Sequence, residues 1–452
     1  MKKLIYILLL VPAVIYGQQS TSNRNTGLSL DTCKALALAN NYRIKEAASE
    51  IIQSEQVKKS AFTGYFPKVN AGLTAFKMSD YLIKSSIPQM NLPVYDGNPA
   101  NIPIATQFTY FPGMQLNLID YMNFGFIMAA QPVFTGGRLH YGNKLAKTGF
   151  EISSEKKLLT ETEVLVKTEE LYWNIIALEE KLITIESYGK LLDNLNNDVS
   201  VAYKAGLVQR TDLLKVQLKQ NELEGNRMKL VNGLTLSTKA LCQHIGIDYD
   251  SIIILTDTIG VPENPAGLFV NPADAVKNRN EYRMLEKAVY AEELQKKMII
   301  GENLPQVAVG AAGIYTDVMD KTDQLGMAFA TVSIPISDWW GGSHKIKQSR
   351  AKVEYANYRL DETSQLLALQ ISQIQNELNQ NYFNIGIAGK SVEQARENLK
   401  VTKDNYKAGV TGMSELLEAQ SVYQSALDNL TEAKCNYQIA RAKYMQAINS
   451  YK

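Results

Sequence analysis

Cysteine, histidine and tryptophan each occur only three times in 452 residues, and their spacing builds no reactive centre. His140, His244 and His344 have no second ligand-type residue at metal spacing, and no HExxH, CxxC, GxSxG or P-loop pattern is present. The chain is therefore not expected to be an enzyme, to bind a metal or to carry a cofactor. Cys33, Cys242 and Cys435 are odd in number and far apart in helical stretches, which predicts small buried side chains rather than a disulfide framework. Charge of one sign is lacking too. With 47 Lys and Arg against 46 Asp and Glu, nucleic acid is not an expected partner, because phosphate binding draws on a basic excess.

A long apolar run is also missing. Leu4 to Ile15 falls short of the roughly 20 apolar residues that a transmembrane helix needs. Preceded by Met1-Lys2-Lys3 and followed by Tyr16-Gly17-Gln18-Gln19, it reads as a signal peptide over residues 1–17. The first cysteine is Cys33, so no lipid anchor is expected at the mature N-terminus.

What is present is a duplication. Tyr203-Lys204-Ala205-Gly206-Leu207, then Leu213-Leu214 and Gln217, returns as Tyr406-Lys407-Ala408-Gly409-Val410, then Leu416-Leu417 and Gln420. The stretch Gln131-Pro132-Val133-Phe134-Thr135-Gly136-Gly137 returns as Ile334-Pro335-Ile336 through Gly341-Gly342, and Tyr65-Phe66-Pro67-Lys68-Val69 matches Asn303-Leu304-Pro305-Gln306-Val307. The repeats divide at 18–270 and 271–452. The first carries an insert from about Met78 to Gln115, rich in Pro, Asn, Gly and Tyr, that reads as a long surface loop.

Each repeat parses as a helix, a strand pair, a very long helix and a shorter helix. Asp31 is the expected N-cap of a helix running to about Thr63, and Asn271-Pro272 opens its counterpart to about Ile300. The long helices run from about His140 to Lys204 and from about His344 to Lys407. Leu171, Leu178, Ile185, Leu192 and Val199 recur every seventh position, a coiled-coil seam, and Leu416, Tyr423, Leu430, Tyr437 and Tyr444 do the same in the last helix. A helix of about 65 residues is about 100 Å long, and stacked pairs of shorter helices would match it. The glycine pairs Gly136-Gly137 and Gly341-Gly342 read as strand-to-helix bends in both copies, against a phosphate cradle.

Val69 to Phe76 with Phe124 to Ala130, and Val307 to Tyr315 with Met327 to Ile336, are hairpin candidates. Each is long enough to cross a bilayer as a tilted strand, and a soluble four-stranded sheet is the alternative. Tyr65, Phe66, Trp339 and Trp340 stand at one end, where an interfacial girdle would sit. The fold class expected is mainly α with a membrane β-barrel portion.

Leu28 to Asn41, Gln131 to Arg138 and the twice-repeated Tyr-Lys-Ala-Gly segment followed by Asp212-Leu213-Leu214 or Glu415-Leu416-Leu417 together resemble the TolC-like outer membrane efflux proteins. The resemblance implies a homotrimer in which four strands per chain make one twelve-stranded barrel in the outer-membrane lipid. Its helices would form a periplasmic tunnel docked by a periplasmic adaptor (membrane fusion) protein and, through it, an inner-membrane efflux pump. It implies that Tyr203, Ala205, Gly206, Tyr406, Ala408 and Gly409 form the tips that dock the adaptor, or else turns with no further role. It implies that Glu415 and Glu418 ring the narrowest part of the tunnel, the alternative being solvated residues in a helix's first turns. Thr211, Asp212, Tyr406 and Thr411 occupy the positions of polar links that hold the gate shut. Thr411 stands where the best-known members carry arginine, so a charged latch to Asp212 would need another cation, Arg210 or Lys407. A periplasmic coiled-coil tether that never enters the membrane is the rival.

Overall fold

The computed structural model describes residues 27–249, 253–260, 262–318 and 321–451, so the expected signal peptide lies outside the described residues. The elements run α1 (Leu30–Asn40), α2 (Tyr42–Thr63), β1 (Lys68–Lys77), β2 (Ile83–Ile87), β3 (Met90–Pro93), β4 (Phe108–Phe111), β5 (Met114–Leu118), β6 (Tyr121–Phe134), α3 (Arg138–Lys204) and α4 (Arg210–Ile245). The second repeat follows with α5 (Pro272–Val276), α6 (Asn280–Glu302), β7 (Gln306–Val318), β8 (Lys321–Ser333), α7 (Asp338–Lys407) and α8 (Met413–Ala447). The duplication survives as geometry. The ends of α3 and α7, the starts of α4 and α8, and Gly206 and Gly409 between them all keep the spacing of Tyr203 to Tyr406. At 67 and 70 residues, α3 and α7 are each about 100 Å long by the helical rise. Among the described residues no helix is long and apolar enough to cross a membrane.

The chain folds as two compact units, each drawing on both repeats. One comprises the described residues of Met1–Lys45, Glu161–Phe269 and Ser372–Lys452, and is helical. Its core gathers Cys33 and Ala37 of α1, Val164, Tyr172 and Ile175 of α3, Leu241, Cys242 and Ile245 of α4, and Cys435 and Ile439 of α8. All three cysteines are free and buried, as their spacing predicts. Burial pushes the Cys33 and Cys435 thiols up to about 12, which keeps them unreactive. The Tyr172 hydroxyl donates to Leu28 O at 3.0 Å and accepts from Asp257 N at 3.2 Å, and the Asp257 carboxylate accepts from Leu30 N. Tyr437 and Tyr444 of α8 donate to Glu263 O and Leu268 O, so the segment between the repeats lies pinned on the last helix.

The seam expected along α3 is buried toward the tip, at Ile185, Leu192 and Val199, and half-buried at Leu171 and Leu178. The first helix departs from expectation. Ser29, not Asp31, caps it, its hydroxyl accepting from Thr32 N, and it breaks at Asn41 (φ −59, ψ 133). The break is held from outside: the Asn41 side chain donates to His244 O at 2.7 Å and caps Arg43 N at 2.9 Å. There α4 ends in left-handed Gly246 (φ 71), and a Cβ on Gly246 would fall 2.5 Å from Asn40 Cβ. Helix α4 thus abuts the α1/α2 joint end to end.

The other unit, Glu46–Thr160 and Val270–Ile371, holds the strands. Asn271 caps α5 as expected, but the counterpart helix breaks before Arg279, whose buried guanidinium pairs with Glu281 and donates to Gln370 Oε1 at 2.9 Å. The two hairpin candidates join into one antiparallel sheet in the order β1-β6-β7-β8, with strands longer than expected in β1, β6 and β7. The last strand is displaced: β8 ends at Ser333, not Ile336, and α7 already begins at Asp338 rather than near His344.

The insert expected as a loop is instead an extended hairpin. β2 pairs with β5 and β3 with β4, around a 3-10 turn at Pro99–Ile104. Prolines and asparagines punctuate the insert, yet Ile83 opposite Leu118 and Ile87 opposite Met114 align apolar pairs that favour a ladder. The glycine pairs also differ between copies. Gly136 and Gly137 take φ of 64 and 81 and form a bend, with Gly136 against the Gly301 backbone. Gly341 and Gly342 lie inside the first turns of α7, where bare Gly342 admits the Asn303 side chain and the Trp339 indole donates to Asn303 O at 2.9 Å.

Candidate functional site

Register sorts the four-stranded sheet into two unlike faces, because directly opposed residues point the same way. On one face Val69, Ala129, Ala311 and Ala328 align across the strands, followed by Ala71, Ile127, Gly313 and Gly326, then Leu73, Gly125, Tyr315 and Gln324, then Ala75, Asn123, Asp317 and Thr322. This face mixes small residues with Leu73, Ile127 and Tyr315 and turns polar at one end, where Asn123 Nδ2 donates to Asp317 Oδ2 at 3.0 Å across β6 and β7. The opposite face carries Phe76 with Met122, Thr74 with Phe124, Thr316 and Asp323, and Gly72 with Phe126, Ile314 and Leu325, followed by Asn70 with Met128, Ala312 and Met327, and by Gly310 with Phe329. Two of its rings lie over glycines. A Cβ on Gly72 would meet Phe126 at 2.7 Å, and one on Gly310 would meet Phe329 at 2.5 Å. The outer edges of β1 and β8 have no strand beside them among the described residues.

Of the girdle candidates, Tyr65 and Phe66 follow α2 and pack edge-on against Phe62, and Trp339 and Trp340 open α7. All four are exposed, Trp340 at 81%. Sequence reasoning missed the aromatic and methionine face of the sheet, since its alternation emerges only when four strands are laid in register.

At the far end of the long helices, in the helical unit, Gly206 (φ 75) and Gly409 (φ 71) terminate α3 and α7, the left-handed residue that L side chains rarely adopt. Tyr203, Ala205 and Gly206 are exposed, as are Ala408 and Gly409, while Tyr406 is half-buried. Glu415 and Glu418 are exposed in the first turns of α8, the Glu415 carboxylate lying over Gly412. Thr211 Oγ1 bonds Gln209 Oε1 at 3.2 Å, and Thr411 Oγ1 donates to Thr402 O at 3.4 Å. Asp212 pairs with Lys215 of its own helix at 3.5 Å, a cation that the sequence reading passed over for Arg210 and Lys407. The Tyr406 hydroxyl is raised above its ordinary pKa by burial first, then by the negative charges of Asp212 and Asp198. The structure thus brings Tyr406 and Asp212 near each other, and leaves Thr211 and Thr411 bonded within their own tips.

Among the described residues no group of His, Cys, Asp and Glu could hold a metal. His244 is instead a structural partner of the α1/α2 joint.

The family model described as outer membrane efflux protein matches residues 275–450. The chain is 19% identical over 310 residues to the outer membrane protein TolC of Escherichia coli (strain K12), covering 64% of this chain and 61% of that protein. It is 20% identical over 304 residues to the alkaline protease secretion protein AprF of Pseudomonas aeruginosa, covering 65% of this chain and 62% of that protein. The chain thus spans about three fifths of the length of the curated relatives it matches. Among solved structures it superposes on the outer membrane channel CmeC of Campylobacter jejuni with a TM-score of 0.75 at 13% identity, over 94% of this chain and 86% of that one. The likeness establishes the fold: long helices with a few strands, as in the TolC-like channels.

Proposed function

We propose that this chain is the outer-membrane channel of a tripartite efflux or type I secretion-type system, a passive duct through which cargo leaves without chemistry. The carrying observation is a two-faced four-stranded sheet, open at both edges, on a chain that also holds two helices of about 100 Å. Four strands are too few to enclose a pore, since membrane barrels begin at about eight. Three copies, pairing β8 of one with β1 of the next, supply twelve (3 × 4). The aromatic face then meets lipid and the opposite face, polar at one end, lines water, the alternation a membrane barrel requires. Tyr65, Phe66, Trp339 and Trp340 serve as the interfacial girdle.

In this reading the helices project into the periplasm. The tips at Tyr203, Ala205, Gly206, Tyr406, Ala408 and Gly409, all exposed except half-buried Tyr406, receive a periplasmic adaptor, which links the duct to an inner-membrane pump. Glu415 and Glu418 from three chains surround the axis at the narrow end, with Thr211, Asp212, Tyr406 and Thr411 around the gate. A periplasmic tether would share the helices but would leave the aromatic sheet face in water, against the cost of exposing so large an apolar surface. Fractionation separates the two: heat-resistant trimers in outer-membrane fractions support the channel, and monomer confined to the soluble periplasm refutes it.

A further inference from the structure

We infer that the two tips of each chain are held together by apolar packing centred on Met413, rather than by polar links, so that the gate opens by displacing apolar side chains. The inference rests on the gate reading above and concerns what keeps that gate shut.

Met413 is the first residue of α8 and only 2% exposed. A helix's first residue beside an exposed turn is ordinarily wet, so its burial requires neighbours from elsewhere. They come from the other tip. Met413 and Leu417 share one buried cluster with Leu192 and Val199 of α3 and Val216 of α4, and Val208, Leu213 and Tyr406 pack against it. The cluster therefore spans both hairpins.

The polar candidates behave differently. Thr211 is bonded within its own turn, Thr411 to the helix preceding it, and Asp212 to Lys215 three residues on. Among the described residues no hydrogen bond or ion pair joins the two tips. A partly exposed i,i+3 pair such as Asp212 with Lys215 contributes little and is screened by salt, whereas buried apolar contact is not. Tyr406 packs against the cluster, and its hydroxyl makes no hydrogen bond to Asp212 although that carboxylate is close enough to raise its pKa.

The test is single-channel recording of the full-length trimer in planar bilayers at low and high KCl. Met413→Ala is expected to raise the conducting fraction about tenfold or more, because truncating a buried apolar side chain weakens packing by at least that factor. Met413→Leu, Asp212→Asn and Lys215→Met are expected to leave it unchanged at both salts. Should Met413→Ala fail to give trimers, Tyr406 decides the matter. Tyr406→Phe keeps the ring and should stay shut, while Tyr406→Ala should open. Opening by Asp212→Asn, or by Tyr406→Phe to the same extent as Tyr406→Ala, would overturn the inference while leaving the channel intact. A trimer that conducts in no variant would remove the channel reading and the inference with it.

Discussion

The imidazole of His244 faces the side-chain amide of Asn41, Nδ1 to Nδ2 at 3.4 Å, at the joint where α1 gives way to α2. Asn41 Oδ1 accepts from Arg43 N, which fixes the NH2 end toward His244. Nδ1 must then be unprotonated, leaving Nε2–H to donate to Val164 O at 3.1 Å. Burial lowers the His244 pKa from its ordinary 6.5, reinforced by the positive charges of Lys167 and Arg43, while the bond to Val164 opposes the shift. The folded state thus resists a proton that the unfolded chain accepts. Stability is fully present above about 6.5 and is lost as pH falls from there through the lower folded value. Thermal melts against pH should show this decline. His244→Gln should flatten it, and an unchanged pH dependence would exclude His244 as its source.

Two glycines with the same backbone conformation should answer differently to alanine. Gly206 (φ 75) has no atom within 4 Å of a built Cβ, so Gly206→Ala should cost only the left-handed penalty, about 1–2 kcal/mol. Gly246 (φ 71) carries the same penalty plus a collision with Asn40, so Gly246→Ala should be more damaging by a further kcal/mol or more, on the order of other overpacking changes. Equal melting temperatures for the two variants would mean that α4 does not abut the α1/α2 joint.

The two faces of the sheet make a paired prediction at one height. Phe126 and Tyr315 sit one register step apart on opposite faces. Phe126→Lys should hinder insertion by about 2–4 kcal/mol, the cost of a cation on the lipid side, and Tyr315→Lys should be tolerated in the lumen. Heat-modifiable gel shifts after refolding into lipid vesicles measure both, and the reverse order would invert the assignment of faces.

Glu415→Gln with Glu418→Gln should lower cation selectivity, read as a reduced reversal potential under a KCl gradient. Both carboxylates are exposed beside the turn, as a ring facing water requires. An unchanged reversal potential in a trimeric variant would leave them as ordinary helix-start acids.

The features legible in the sequence were those set by local pattern. The helix ends around Gly206 and Gly409 follow from the duplicated motif, the seam at Ile185, Leu192 and Val199 from a heptad, and the buried cysteines from their scatter. Those missed depend on distant partners. The break at Asn41 is stabilised by His244 at the end of another helix, and no breaker residue marks it. The insert became a hairpin because apolar residues some 30 positions apart pair across it, Ile83 with Leu118 and Ile87 with Met114. Trp339 and Trp340 entered a helix because α7 begins ahead of the glycine pair, with Asn303 packed against Gly342. Asp212 pairs within its own helix, with Lys215 at i+3, and a motif that marks the turn gives no sign of which nearby cation its carboxylate takes.

The most direct test is electron-microscopic imaging of detergent-purified particles of the intact chain. Particles with threefold symmetry around a stain-filled centre are the predicted result, since one sheet of four strands has open edges that only further copies can close. Single or paired molecules without a central opening would contradict the account.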